Sequence, residues 1–128
     1  MSEPAFLTLA EVIEIHADQI LNYGGGESVR DIELLSSAVA MPYVSFSKQF
    51  LHADIFEMTA AYAFHISQNH PFIDGNKRTA LASALVFLEL NGVNIFDPEG
   101  TLYDAMLKLV AGKLSKSDFA YILRKLER

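Results

Sequence analysis

The sequence predicts an all-α fold: a compact bundle of about six helices around one central buried helix, with a short flap strand or hairpin in its first half. Three observations predict it. Apolar residues recur at three- and four-residue spacing in one segment after another. Capping residues, glycines and prolines punctuate those segments. One segment, Asn76 to Asn91, is apolar almost all round: between Thr79 and Leu90 the only non-apolar residues are Thr79, Ser83 and Glu89. A helix of that kind is wrapped by others.

Taken in order, Leu7 to Asn22 reads as the first helix, with Leu9, Val12, Ile13, His16 and Ile20 on one stripe. Thr8 and Glu11 form a capping box. Gly24-Gly25-Gly26 reads as a helix end and turn, since no strand precedes it and no Lys-Ser/Thr follows. His16 on the apolar stripe reads as a core histidine bonded to a backbone carbonyl. Ser28-Val29-Arg30-Asp31 has capping-box spacing and opens a helix to about Ala40, with Ile32, Leu35, Ala38 and Val39 buried. Arg30 and Asp31 read as a solvated ion pair or a cap. Met41-Pro42 ends that helix.

Met41 to Ala53 is the least regular stretch. The alternation Tyr43-Val44-Ser45-Phe46-Ser47 fits a short strand or hairpin arm, and an ordinary loop packing its aromatics on the core is the alternative. His52 reads as a surface histidine. Asp54 and Glu57 have cap spacing before a helix to about Asn69, its stripe being Ile55, Met58, Thr59, Tyr62, Ala63 and Ile66. His65 on it reads as structural or exposed, with no zinc-pair spacing. After the central helix, Gly92 supplies a stop. Asp97-Pro98 reads as an N-cap with proline at the first helical position. Leu102, Ala105, Met106, Leu109 and Val110 face inward on the next helix. Ser115 to Asp118 starts the last one, with Phe119, Ile122, Leu123 and Leu126 inside.

At 128 residues the chain fits a single domain, 1–128, large enough to bury a core without staples. It has no cysteine, which excludes disulfides and thiolate metal sites. Met1-Ser2-Glu3-Pro4 lacks a basic leader, and the longest apolar run, Ala80 to Leu90, is too short to span a bilayer. The expectation is a soluble cytoplasmic protein without a membrane partner. A formal net charge of -6 argues against direct nucleic acid binding but leaves room for a local cationic pocket.

The chemistry concentrates in His70-Pro71-Phe72-Ile73-Asp74-Gly75-Asn76-Lys77-Arg78. Pro71 pushes the chain out of helical geometry at His70, and a new helix runs from Asn76. The free N–H groups of that helix start point at the loop, where an anion would sit. Gly75, Asn76, Lys77 and Arg78 then form a phosphate cradle. Two cations at a helix N-terminus oppose its dipole, a conflict that a bound polyanion relieves. His70 is the candidate general base; a histidine merely capping a helix is its structural alternative. Asp74 is placed to N-cap the central helix. Phe72 reads as the apolar anchor of the loop.

The same run resembles the motif of the Fic/Doc family, and its Lys-Arg ending resembles the Doc (death-on-curing) branch. Ile15-His16, Tyr23-Gly24-Gly25, Arg30-Asp31, Leu34-Leu35, Phe56-Glu57 and Phe87-Leu88-Glu89-Leu90-Asn91-Gly92 are similar to death-on-curing sequences as well, so the likeness runs from about Leu7 to about Leu126. The resemblance implies His70 as catalytic base, Asp74 as a Mg²⁺ ligand beside nucleotide phosphates, and Tyr43, Val44, Ser45 and Phe46 as a flap that docks the target chain by edge pairing. It also implies a partner, a Phd-like antitoxin whose disordered tail folds as a helix into a groove. Built-in inhibition in Fic relatives uses Ser/Thr-x-x-x-Glu-Gly/Asn; Glu99-Gly100 has the ending, but Ile95 replaces the hydroxyl residue.

The family divides by reaction. AMP-transferring Fic proteins carry Gly after the Asn and a second Arg further on; here Lys77 and Leu81 stand there. Doc-type proteins have this lysine and resemble kinases that bind ATP in a reversed sense and pass its γ-phosphoryl to a threonine of elongation factor Tu, arresting translation. Gly75, where the Doc pattern has Ala, leans towards Fic, so AMP transfer is the second expectation. A catalytically silent nucleotide- or peptide-binding module is the third.

Overall fold

The computed structural model describes residues 3–128. Six helices follow one another: α1 (Leu9–Tyr23), α2 (Ile32–Ala40), α3 (Ile55–Asn69), α4 (Asn76–Leu90), α5 (Thr101–Val110) and α6 (Lys116–Leu126). A 3₁₀ turn (Met41–Tyr43) and a two-stranded antiparallel hairpin, β1 (Ser45–Phe46) and β2 (Gln49–Phe50), lie between α2 and α3. No helix of the described residues is long and apolar enough to cross a membrane.

Local chemistry sets most helix starts. Thr8 and Glu11 close a reciprocal capping box on α1, and Ser115 and Asp118 do the same on α6. Asp54 caps α3 through the Glu57 N–H. Three starts differ from the sequence reading. Gly75, not Asp74, stands at the N-cap of α4. Asp31, not Ser28, caps α2, and the segment before it is held extended by pairing with the Pro71–Ile73 loop. Ile32, in the first turn, therefore faces solvent instead of the core. Asp97 sits further upstream of α5 than expected: its carboxylate accepts from the N–H groups of Thr101 and Leu102 across a turn closed by Gly100.

α3 and α4 pack antiparallel and form the spine. α3 is the more enclosed, touching α2, α4, α5, α6 and the 3₁₀ turn, with Met58 to Ala63 and Ile66 buried. α4 buries Ala80, Ala84, Phe87 and Leu88, but its outer edge, Val86 and Leu90, is exposed. Its all-round apolarity thus overstates its enclosure: α1 and α5 leave one stripe uncovered.

The hairpin forms where the irregular stretch was. Its turn residues Ser47 and Lys48 both have positive φ, the geometry a two-residue hairpin loop needs. Tyr43 belongs to the 3₁₀ turn, and Phe46 is exposed. Tyr43 and Phe50 pack on Phe6, which stacks on Phe87. Phe87 lies eleven residues beyond Asn76, about 16 Å along the helix. The hairpin base is therefore anchored towards the far end of α4 from the His70 loop.

Candidate active site

The loop between α3 and α4 is fixed from three sides. α3 ends at Asn69, and His70 takes a left-handed conformation (φ 51°, ψ 51°). Such a conformation is costly for a histidine and persists only where neighbours enforce it. Arg30 is that neighbour: its Nε donates to the His70 carbonyl at 2.8 Å, and an η-nitrogen donates to the Asn69 carbonyl at 3.2 Å. Arg30 thus caps the end of α3 rather than forming an ion pair.

The Gly26–Asp31 segment forms the second support. Arg30 and Asp31 N–H groups donate to the Pro71 carbonyl, Ile73 N–H donates to Ser28, and Val29 bridges Phe72. The Gly26 N–H donates to Asp74 Oδ2 at 2.7 Å. Gly25 has φ 115°, and a Cβ there would lie 3.0 Å from that of Asp74. The glycine run is therefore more than a helix end: its missing side chains let the backbone close on the aspartate.

The third support is internal. Phe72 is fully buried, its ring parallel to His16 at 3.7 Å between centroids. His16 Nε2 donates to the Asp74 carbonyl at 2.8 Å, so Nε2 carries the proton. This is the buried, carbonyl-bonded histidine its position on the stripe implied. Asn76, 5% exposed, accepts the Phe72 N–H on Oδ1 and donates from Nδ2 to the Phe72 carbonyl, both at 2.9 Å. Both polar atoms of its carboxamide are thereby tied to the loop, leaving its backbone N–H and the second Nδ2 hydrogen for a phosphate.

Asp74 does not cap α4. Gly75, with φ 78°, occupies the N-cap position and offers no side-chain acceptor. Among the described residues no group accepts from the N–H of Gly75, Asn76, Lys77 or Arg78. A helix start left open beside an aspartate turned elsewhere is what an external anion requires. The His70, Asp74, Lys77 and Arg78 side chains are exposed around it, and the His70 ring makes no hydrogen bond to the described residues. Together with Ile73, Gly75, Asn76 and Tyr103 they line an open hollow of about 290 Å³. Arg78 also rests its guanidinium 4.3 Å from the centroid of Tyr23.

Asp74 Oδ1 meets no donor among the described residues, whereas Oδ2 is held. No group of three or more metal-ligating side chains occurs among them. One oriented carboxylate suits a cation that arrives with phosphates, not a caged metal. None of Tyr43, Val44, Ser45 or Phe46 lines the hollow. Sequence reasoning missed Arg30, Gly25 and Gly26 as loop supports; the recurrence of Arg30-Asp31 and Tyr23-Gly24-Gly25 in similar sequences was the available signal.

A second polar cluster lies apart from this loop. His52, 6% exposed and not a surface residue, directs Nε2 to Lys116 Nζ at 3.2 Å. His65 Nε2 approaches the same ammonium at 3.0 Å. Burial and then the Lys116 charge push His65 down to about 4, and the same causes lower His52.

An all-helical domain with an open helix start, two cations and a free imidazole belongs to a recognisable class, and the model of the Fic/DOC family matches residues 6–88. The chain is a member of the Fic/Doc family. Over 117 residues it is 37% identical to "Protein kinase doc" of Escherichia phage P1, covering 91% of this chain and 90% of that protein. Over 73 residues it is 40% identical to "Toxin Doc" of Mycolicibacterium smegmatis, covering 57% of this chain and 56% of that one.

Proposed function

We propose that this chain is a Doc-like toxin that transfers the γ-phosphoryl group of ATP to a threonine hydroxyl of a translation factor such as elongation factor Tu. The observation that supports this most is the open α4 start, flanked by Lys77, Arg78 and the unpartnered His70, in a chain similar along 91% of its length to a protein kinase.

Phosphates would accept from the N–H groups of Gly75 to Arg78, with Lys77 and Arg78 balancing their charge. His70 takes the proton of the attacking hydroxyl. The new bond joins that oxygen to the γ-phosphorus, the bond to the β,γ-bridging oxygen breaks, and ADP leaves. Asp74 Oδ1 and the phosphate oxygens would hold Mg²⁺, which neutralises phosphate charge when bound. The side chains of Arg30, Asn76 and His16 keep the loop in shape, and phosphoryl transfer depends mostly on such positioning.

Two relatives with Doc names also motivate a toxin–antitoxin setting, with a Phd-like antitoxin as partner and a cytoplasmic site of action. A small protein co-purifying in fixed ratio from the host checks the partner. AMP transfer is the second reading, favoured by glycine rather than alanine at position 75.

The test is incubation with host lysate, and then with purified elongation factor Tu, using ATP labelled at the α or the γ phosphate. Label passing from γ alone supports the kinase, and label from α supports AMP transfer. Label from neither leaves a binding module. His70→Ala removes any transfer that depends on this site.

A further inference from the structure

Two imidazoles outside the phosphate loop turn their lone pairs to one point. His52, just before α3, and His65, on α3, direct Nε2 at the Lys116 ammonium at 3.2 and 3.0 Å. An ammonium only donates, so both Nε2 atoms are unprotonated acceptors aimed at a shared centre. We propose that His52 and His65 form a site for a borderline divalent metal ion such as Zn²⁺, which takes the place of the Lys116 ammonium. None of the three residues lines the phosphate hollow, so the site does not depend on the phosphate assignment.

Ring geometry is the first reason. The two imidazoles stand 6.4 Å apart between centroids, with their planes at 74°. They flank the shared centre and do not stack on each other. Zinc–imidazole bonds are about 2.0–2.1 Å long. Nitrogens that now lie 3.0 and 3.2 Å from that centre would each close by only about 1 Å. His52 has the freedom for this move. Its Nδ1 is buried beside the Met41 backbone but makes no hydrogen bond, so nothing anchors the far side of the ring.

The weak hold on the present cation is the second reason. Lys116 is the first residue of α6, where its charge meets the positive end of the helix dipole. Among the described residues no carboxylate pairs with it. Imidazoles hold an ammonium by hydrogen bonds alone, whereas they coordinate zinc directly. Lysine's flexible stem lets the ammonium swing out to water when the ion enters. The surroundings are the third reason. The Glu57 charge acts on His52, and Arg124 holds Glu57 only loosely, at 3.8 Å. The Phe64 ring, 5.4 Å from Lys116 Nζ, screens one side of the site. His65 and Lys116 are half-buried, which leaves the other side within reach of solvent. No third metal-ligating side chain completes the pair among the described residues, so water would fill the remaining positions. Bound there, the ion would tie the segment after β2 to α3.

The test is a titration of the untagged protein with zinc chloride, read by calorimetry and by ¹H–¹⁵N spectra of the histidine rings. The His52 and His65 signals should shift together and saturate at one ion per chain, while Mg²⁺, which prefers oxygen ligands, moves neither. Lys116→Met keeps most of the stem's bulk and removes the competing charge, so it should bind zinc at least about tenfold more tightly. His65→Gln should bind it at least about tenfold more weakly. Zinc that shifts the His70 ring and leaves His52 and His65 unmoved would overturn the site. So would binding by Lys116→Met no tighter than that of wild type, or no response to zinc in either protein. The ring signals of wild type decide the matter even if a variant fails to fold.

Discussion

Replacing Asn76 with alanine separates two roles that its sequence position leaves entangled. As a phosphate ligand its loss would weaken nucleotide binding and leave folding alone. The structure instead commits it to two hydrogen bonds of 2.9 Å, to the N–H and the carbonyl of Phe72, from a side chain 5% exposed. Alanine leaves both Phe72 groups buried and unpaired, at about 1–3 kcal/mol for each. Water entering from the nearby surface limits the sum, and alanine's better helix propensity returns about 0.5 kcal/mol. The net expectation is a destabilisation of about 2–3 kcal/mol, against a total of about 5–15 kcal/mol for a domain. The variant therefore still folds. Urea unfolding reads the difference as a shift in midpoint at constant slope. A loss below about 0.5 kcal/mol, the usual range for a surface change, would refute Asn76 as a loop staple.

Other expectations follow from the same geometry. His65 has its folded pKa lowered to about 4, with burial the main cause and Lys116 next, and His52 is lowered likewise. Because the unfolded chain then binds protons first, stability is full above about pH 6.5 and falls as pH drops towards about 4. Discounted for partial solvation, the loss is about 1–2 kcal/mol; Lys116→Met should flatten that slope in urea titrations at several pH values, and an unchanged slope would contradict it. Gly75→Ala places a side chain at φ 78° with its Cβ 3.1 Å from the end of Ile20, so thermal unfolding should show a loss of about 1–2 kcal/mol. Arg30→Ala frees the Asn69 and His70 carbonyls and should slow phosphoryl transfer about ten- to a hundredfold, with KM nearly constant in steady-state assays. His70→Ala should slow transfer at least about a hundredfold while binding of the β,γ-imido analogue of ATP stays intact.

Local chemistry made much of this fold legible. The Thr8–Glu11 and Ser115–Asp118 boxes and the Asp54 cap act within four residues, so their pattern is the structure. Pro71 and Gly75 marked the loop ends for the same reason. What stayed hidden depends on contacts distant in sequence. The Gly26–Asp31 segment pairs with residues some forty positions away and carries no periodicity of its own. Asp74 had a capping position, yet the Gly26 N–H takes its carboxylate. The hairpin itself was expected from the Tyr43–Ser47 alternation, but Ser47 and Lys48 turn it without glycine or asparagine, so no turn residue marked where it reverses. His52 lies in an aperiodic stretch and looks exposed, but the 3₁₀ turn and Lys116 cover it.

The most direct check on the central claim is a crystal structure with Mg²⁺ and the β,γ-imido analogue of ATP. Phosphate oxygens are expected on the N–H groups of Asn76, Lys77 and Arg78, with the terminal phosphoryl group beside the His70 ring. Phosphates bound away from the α4 start, or a His70 ring turned from the terminal phosphoryl group, would contradict it.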